Sequence, residues 1–132
     1  MIQGGCNCGS VRYEMEAAAL HHALCHCRDC RRSSGAPASA WALVRNDQIT
    51  ITGQPKAYAS SEGAERLFCD NCGTSLFYRN ETIFPEMIDV MSATLDDPDA
   101  IPLGGQIQTD ERIGWMGKLG ELPSFPRFPA ED

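Results

Sequence analysis

Apolar and polar residues alternate in short stretches along this chain, and clusters of Gly, Pro, Asn and Asp separate the stretches. A period of two broken by turn residues points to strands rather than helices. It predicts strands over residues 10–16, 19–25, 38–44, 48–51, 56–60, 65–68, 75–78 and 86–92. The run Ile49-Thr50-Ile51-Thr52 is rich in β-branched side chains, which favour extended backbone. No window of a dozen residues carries a helical stripe. Thr94-Leu95-Asp96-Asp97-Pro98 reads as a turn, or as a single capped helical turn. The closing segment from Pro123 to Pro129 is expected to run extended and to pack by its aromatics if at all. Trp41, Phe77, Tyr78 and Trp115 are expected in the core, where aromatics at strand spacing usually sit, although Trp115 is also a candidate for lining a pocket. The pattern as a whole predicts a mainly β fold.

The chain has 132 residues and shows no repeat or long linker, so one domain spanning residues 1–132 is expected. Its 8 Pro and 12 Gly imply a turn-rich core that a metal staple would help to hold. A formal charge of −7 weighs against nucleic acid and anionic membrane as partners, because both need a basic face. The exception is local: Arg28, Arg31 and Arg32 crowd around Cys30, a basic spot that is as readily a solvated turn. The N-terminus lacks the basic and apolar regions of a secretory signal, and the apolar run from Ala17 to Leu20 is far too short to span a bilayer. A cytoplasmic location is therefore expected. In a reducing compartment, seven cysteines read as metal ligands or reactive thiols, and an odd number cannot be fully paired within the chain.

Those cysteines fall into three groups, Cys6/Cys8, Cys25/Cys27/Cys30 and Cys69/Cys72, each at a turn between strand candidates. Residues two apart in extended backbone point to one side, so Cys-x-Cys can chelate. Cys-x-x-Cys needs a tight knuckle, and in Phe68-Cys69-Asp70-Asn71-Cys72-Gly73 the left-handed positions fall to Asn71 and Gly73, with Gly9 playing the matching part after Cys8. A structural zinc is closed by four ligands, whereas a catalytic one has three and an open position. Seven divides into four and three. Cys6, Cys8, Cys69 and Cys72 are expected to hold a structural zinc, and Cys25, Cys27 and Cys30 a second ion, giving two zinc ions per chain. Four thiolates leave the metal a poor Lewis acid, and three leave it more electrophilic. The rival for the trio is a closed Cys3His site completed by His21 or His22. His26, between two ligands, would point away from the ion in extended backbone. A redox pair at Cys-x-x-Cys and an iron–sulfur site fit the spacing less well.

Three segments carry a resemblance in order along the chain: Gly5-Cys6-x-Cys8-Gly9-x-Val11-x-Tyr13, Cys25-His26-Cys27-x-x-Cys30-Arg31-Arg32-x-x-Gly35-Ala36, and Phe68-Cys69-x-x-Cys72-Gly73-Thr74-x-Leu76. Together with Thr94-Leu95-Asp96-Asp97-Pro98, Trp115 and Leu122-Pro123, they resemble the glutathione-dependent formaldehyde-activating enzyme family, which includes centromere protein V. The resemblance implies a single-domain zinc-knuckle fold of coiled antiparallel sheets, similar to methionine-R-sulfoxide reductases. It also implies a structural zinc at Cys6, Cys8, Cys69 and Cys72 and a catalytic zinc at Cys25, Cys27 and Cys30. Where the family commonly has a histidine, this chain reads Pro102-Leu103-Gly104-Gly105-Gln106.

The expected function is that of a zinc-dependent carbon–sulfur lyase acting on a small thiol–aldehyde adduct such as S-hydroxymethylglutathione. His26 is a candidate proton carrier, and a lone histidine beside ligands is more often a supporting hydrogen-bond donor. Arg31 and Arg32 are candidates to receive substrate carboxylates, since arginine's fork suits that geometry. The alternative from another class is a non-catalytic zinc-binding module with two structural metal sites.

Overall fold

In the computed structural model, which describes residues 1–129, the alternating stretches pair into two sheets. Residues 130–132 of the domain expected over 1–132 lie outside the described residues. Strands β1 (Ile2–Gly5), β2 (Arg12–Met15) and β5 (Ile49–Thr52) form a small antiparallel sheet in the order β1-β2-β5. The larger sheet contains β3 (His21–Cys25), β4 (Ser39–Arg45), β6 (Lys56–Ser61), β7 (Ala64–Phe68), β8 (Ser75–Asn80), β9 (Met87–Met91) and β10 (Gly105–Ile107). Its order is β10-β3-β4-β9-β8-β7-β6, antiparallel throughout except that β10 runs parallel to β3. The fold is mainly β, as the alternation predicts.

Strand β4 lies inside the large sheet and is buried on both faces, so it reads as a nearly continuous apolar run. Ala42 and Val44 share one face with Phe77, Ile88 and Val90, and this face packs against Val11, Tyr13 and Met15. Tyr13 meets Phe77 edge to face with centroids 5.5 Å apart. Each fully buried side chain of this kind contributes about 1.5–3 kcal/mol. This core fastens the two sheets together and leaves the other face of the large sheet free for chemistry.

Three elements depart from the expectation. Strands β1 and β10 form from short stretches with no apolar alternation, by backbone pairing to β2 and β3. Helix α1 (Arg28–Ser34) forms although no helical stripe exists, because its seven residues bury only Cys30. Local chemistry marks it instead. Cys27 caps it by accepting from Cys30 N at 3.2 Å, Asp29 lies in its first turn, Arg31 and Arg32 in its last, and Gly35 donates back to Arg31 O at 2.7 Å. Thr94 ends a single 3-10 turn (Ser92–Thr94), Leu95 then bridges to Gly4, and the chain turns again at Pro98, the Ala100 N–H closing on Asp97 O at 3.0 Å. Trp41 and Phe77 are buried as expected, and Tyr78 partly so. Trp115 is 52% exposed on a 3-10 segment (Gly114–Glu121) and is not a core residue, and Phe125 and Phe128 do not pack.

Candidate metal centres and the adjoining cavity

The first centre brings together Cys6 and Cys8 with Cys69 and Cys72, two pairs more than sixty positions apart in the chain. Two similar knuckles build it. The Gly9 N–H closes on Cys6 O at 3.2 Å and the Gly73 N–H on Cys69 O at 2.8 Å, with φ near +83° and +82°. Only glycine takes that conformation without strain. Asn71 is not left-handed, contrary to expectation; its side-chain amide donates to Cys8 Sγ at 3.2 Å and ties the two knuckles together. Cys6 and Cys8 sulfurs are 3.6 Å apart, and those of Cys8 and Cys69 3.7 Å. The Ser10 hydroxyl and the Asn71 amide hold the Cys8 thiol down to about 5, and Thr74 brings Cys72 to about 7. Hydrogen bonds to these two sulfurs thus favour the thiolate that a metal needs, whereas Cys69, beside the thiols of Cys72 and Cys6, is raised to about 11.

The second centre is Cys25 at the end of β3, Cys27 at the cap of α1, and Cys30 in its first turn. Cys30 and Cys25 sulfurs lie 3.7 Å apart, packed on Trp41. Burial, together with the neighbouring thiols Cys27 and Cys25, pushes the Cys30 thiol up to about 12, and burial raises Cys25 as well. A cation bound among the thiols would invert that balance for Cys25 and Cys30. Among the described residues no histidine, aspartate or glutamate joins either cluster. His22 is engaged with Pro102 O at 3.0 Å and Ser92 Oγ at 2.8 Å. Of the two histidines weighed as a fourth ligand to the trio, His22 is thus held elsewhere, and His21 lines the same cavity as the trio without joining its cluster. All seven cysteines are free thiols arranged as two clusters able to hold metal ions, with spacings consistent with zinc.

The trio opens into a cavity of about 620 Å³ on the face of the large sheet turned away from the core. Register sets its floor: His21, Leu43, Asp89, Tyr78 and Arg66 are successive cross-strand neighbours over β3, β4, β9, β8 and β7. Trp41, Ile83, Phe84 and Ile107 add apolar wall. Arg66 is only 7% exposed; its Nη2 donates to the Asp29 carboxylate at 2.5 Å and lies 3.8 Å from Cys30 Sγ. Asp89 has no ion-pair partner among the described residues, and burial pushes its carboxyl up to about 7.

The remaining residues singled out by sequence fall elsewhere. His26 is 1% exposed and faces Gln106, with Nε2 2.8 Å from Oε1, while its backbone N–H reaches Ile107 O at 3.1 Å. It stands behind the trio against β10 and does not line the cavity. Arg31 and Arg32 line a hollow on the other side of α1 with Trp115, and Arg32 also lines one that contains Arg66 and Arg28. Sequence reasoning missed Arg66 and Asp89. The signal was present, since each is a charge inside a run that otherwise reads as buried strand, Met87-Ile88-Asp89-Val90-Met91 being the clearer case.

Residues 1–110 match the model of the family described as glutathione-dependent formaldehyde-activating enzyme. An uncharacterized lyase of Schizosaccharomyces pombe is 32% identical over 76 residues, covering 58% of this chain and 56% of the relative. A Penicillium rubens protein provisionally named a glutathione-dependent formaldehyde-activating enzyme is 25% identical over 128 residues, covering 92% of this chain and 64% of the relative. The chain thus spans less than two thirds of the length of either relative. The fold is shared with the crystal structure of a Rhodobacter sphaeroides protein, at a TM-score of 0.62 and 23% identity, over 80% of this chain and 99% of that one.

Proposed function

This chain belongs to the glutathione-dependent formaldehyde-activating enzyme family, and we propose that it is a zinc-dependent carbon–sulfur lyase acting on a thiol–aldehyde adduct such as S-hydroxymethylglutathione. The observation that carries this reading is the contrast between the two centres. One offers four thiols, and the other offers three beside an open cavity. Both fit zinc: sulfur separations of 3.6–3.7 Å match the edge of about 3.8 Å that follows from a tetrahedral ion with Zn–S near 2.3 Å. Cys6, Cys8, Cys69 and Cys72 would hold the structural ion, and Cys25, Cys27 and Cys30 the catalytic one. When bound at the trio, zinc supplies Lewis acidity and keeps a substrate thiol ionised near neutral pH.

The protein's own residues do the rest. Trp41, Tyr78, Ile83 and Phe84 hold the organic part of the adduct and exclude water, which strengthens every charge interaction inside. Asp89 on the cavity floor titrates close to neutrality, where a carboxyl both gives and takes a proton efficiently. His26 is a positioning residue. Its bond to Gln106 and its backbone bond to Ile107 fasten the Cys25–Cys27 segment to β10. A carboxylate at the far end of an extended thiol falls to Arg32, whose hollow adjoins Arg66, rather than to Arg31 on the Trp115 side.

The test is exchange between free formaldehyde and its glutathione adduct, followed by nuclear magnetic resonance with the uncatalysed rate subtracted. Acceleration by metal-loaded protein, lost on chelation and restored by zinc, is the expected result. Acceleration with a different small thiol alone keeps the chemistry and changes the substrate. No acceleration with any thiol tested, from protein carrying both ions, leaves a binding module with two structural metal sites.

A further inference from the structure

Arg66 is the charge that the fold has buried without fully using. Its Nη2 is shared between the Asp29 carboxylate and the sulfur of Cys30, and its guanidinium carbon lies 4.9 Å over the ring of Tyr78. Nε and Nη1 are buried and have no hydrogen-bond partner. Asp29 is 69% exposed, so the ion pair is half in water and neutralises the guanidinium only in part. A buried donor without a partner is costly, and such groups persist where a ligand completes them. Tyr78 and Asp29 fix the plane of the guanidinium, so the adduct does not have to order it.

We propose that Arg66 is a catalytic residue of the lyase reaction, donating hydrogen bonds to the adduct's oxygen as that oxygen becomes an alkoxide. This rests on the lyase reading of the trio. Position decides between this oxygen and a more distant carboxylate. Arg66 Nη2 is 3.8 Å from Cys30 Sγ, and Cys30 and Cys25 sulfurs are 3.7 Å apart, so the guanidinium borders the trio itself. In an adduct whose sulfur sits at the trio, the oxygen is two bonds from that sulfur, whereas the carboxylates of a glutathione-like thiol are many bonds away. In cleavage the hydroxyl proton passes to the Asp89 carboxylate, directly or through water, and Arg66 stabilises the alkoxide left behind. The carbon–sulfur bond then breaks with its electron pair going to sulfur, and the carbon–oxygen bond becomes the carbonyl of the released aldehyde. In the reverse direction the thiolate adds to the carbonyl carbon, and Arg66 holds the oxyanion until Asp89 returns the proton.

Removing one donor from an oxyanion site lowers kcat by about 10²–10³-fold. The Arg66→Met variant, measured with glutathione and formaldehyde or with whichever thiol the wild type accelerates, is expected to lose that much in kcat. It should keep KM within a few-fold and retain both metal ions. In Arg66→Ala, added methylguanidinium is expected to restore part of the rate, which a purely structural role would not allow. Arg66→Lys keeps the charge and the packing stem, and serves where the other variants fold poorly; it too should lose rate with both ions retained. Wild-type kcat in folded variants with two ions would overturn the inference, and so would a rate loss that tracks loss of one ion and is not rescued. A wild type that accelerates no adduct sinks the lyase reading with Arg66 intact, a different failure, and takes this inference with it.

Discussion

At Asp89 a carboxyl faces the cavity from a strand whose next residues on either side, Ile88 and Val90, are fully buried in the core. Burial raises it to about 7, well above the value of about 3.9 for an aspartate in an unfolded chain. The sign follows from proton linkage. The folded state binds this proton more tightly than the unfolded state, so rising pH lowers stability between about 4 and 7, and the penalty is fully present above 7. Asp89→Asn removes the titration. Relative to the wild type, this variant should gain stability as pH rises from 5.5 to 7.5, by on the order of 1 kcal/mol or more, and the gain should then level off. Thermal melts across that range, with both proteins metal-loaded, check it. A stability difference that does not change with pH would show that Asp89 is solvated.

Among elements, the two knuckles and the helix divide the work of the cysteines. The four-cysteine centre joins the β1–β2 turn of the small sheet to the β7–β8 turn of the large one, so a metal held there ties early chain to late chain beside the core. Structural zinc is worth on the order of 10 kcal/mol or more, against a net domain stability of about 5–15 kcal/mol. Cys69→Ser and Cys72→Ser should therefore unfold the protein or lower its melting temperature severely. The trio lies within six residues at the join of β3 and α1, and a loop that short carries little global order. Cys25→Ser, Cys27→Ser and Cys30→Ser should stay folded, lose one ion and lose activity. Melts with metal counts on all five variants decide it, and a Cys27 variant as unstable as the Cys72 variant would make the trio structural.

For the whole molecule, the partition of thiols predicts two zinc ions per chain. Elemental analysis of protein purified in reducing buffer without chelator should find close to two. Titration with a chelator should remove the trio's ion first, because three ligands hold less tightly than four. Activity should vanish with that first ion while the fold persists, and unfolding should follow loss of the second. One ion or fewer, with no uptake of added zinc, would remove the basis for both centres. The acidic surface expected from a net charge of −7 leaves α1, with Arg28, Arg31 and Arg32, as a local basic face whose hollows lie outside the cavity of the trio. The same helix carries Cys30, so charge and a thiol of the trio arrive on one element.

The spacing of the cysteines determined by itself the two knuckles and the trio, because a Cys-x-Cys or Cys-x-x-Cys turn is a local object whose geometry a few residues settle, whereas the meeting of Cys6/Cys8 with Cys69/Cys72 is a tertiary contact. The alternation likewise determined the mainly β fold and eight of the strands, since a strand with one buried face writes its period into the sequence. Strand β10 and helix α1 were not legible as elements from apolar pattern, because one is held by backbone pairing and the other by caps and charges. The cavity could not be read at all. It exists because register across five strands lines up His21, Leu43, Asp89, Tyr78 and Arg66, residues scattered from position 21 to position 89. Which side chains face an open trio, and which buried charges go unpaired there, depends on that alignment of distant strands, and only the tertiary structure decided it.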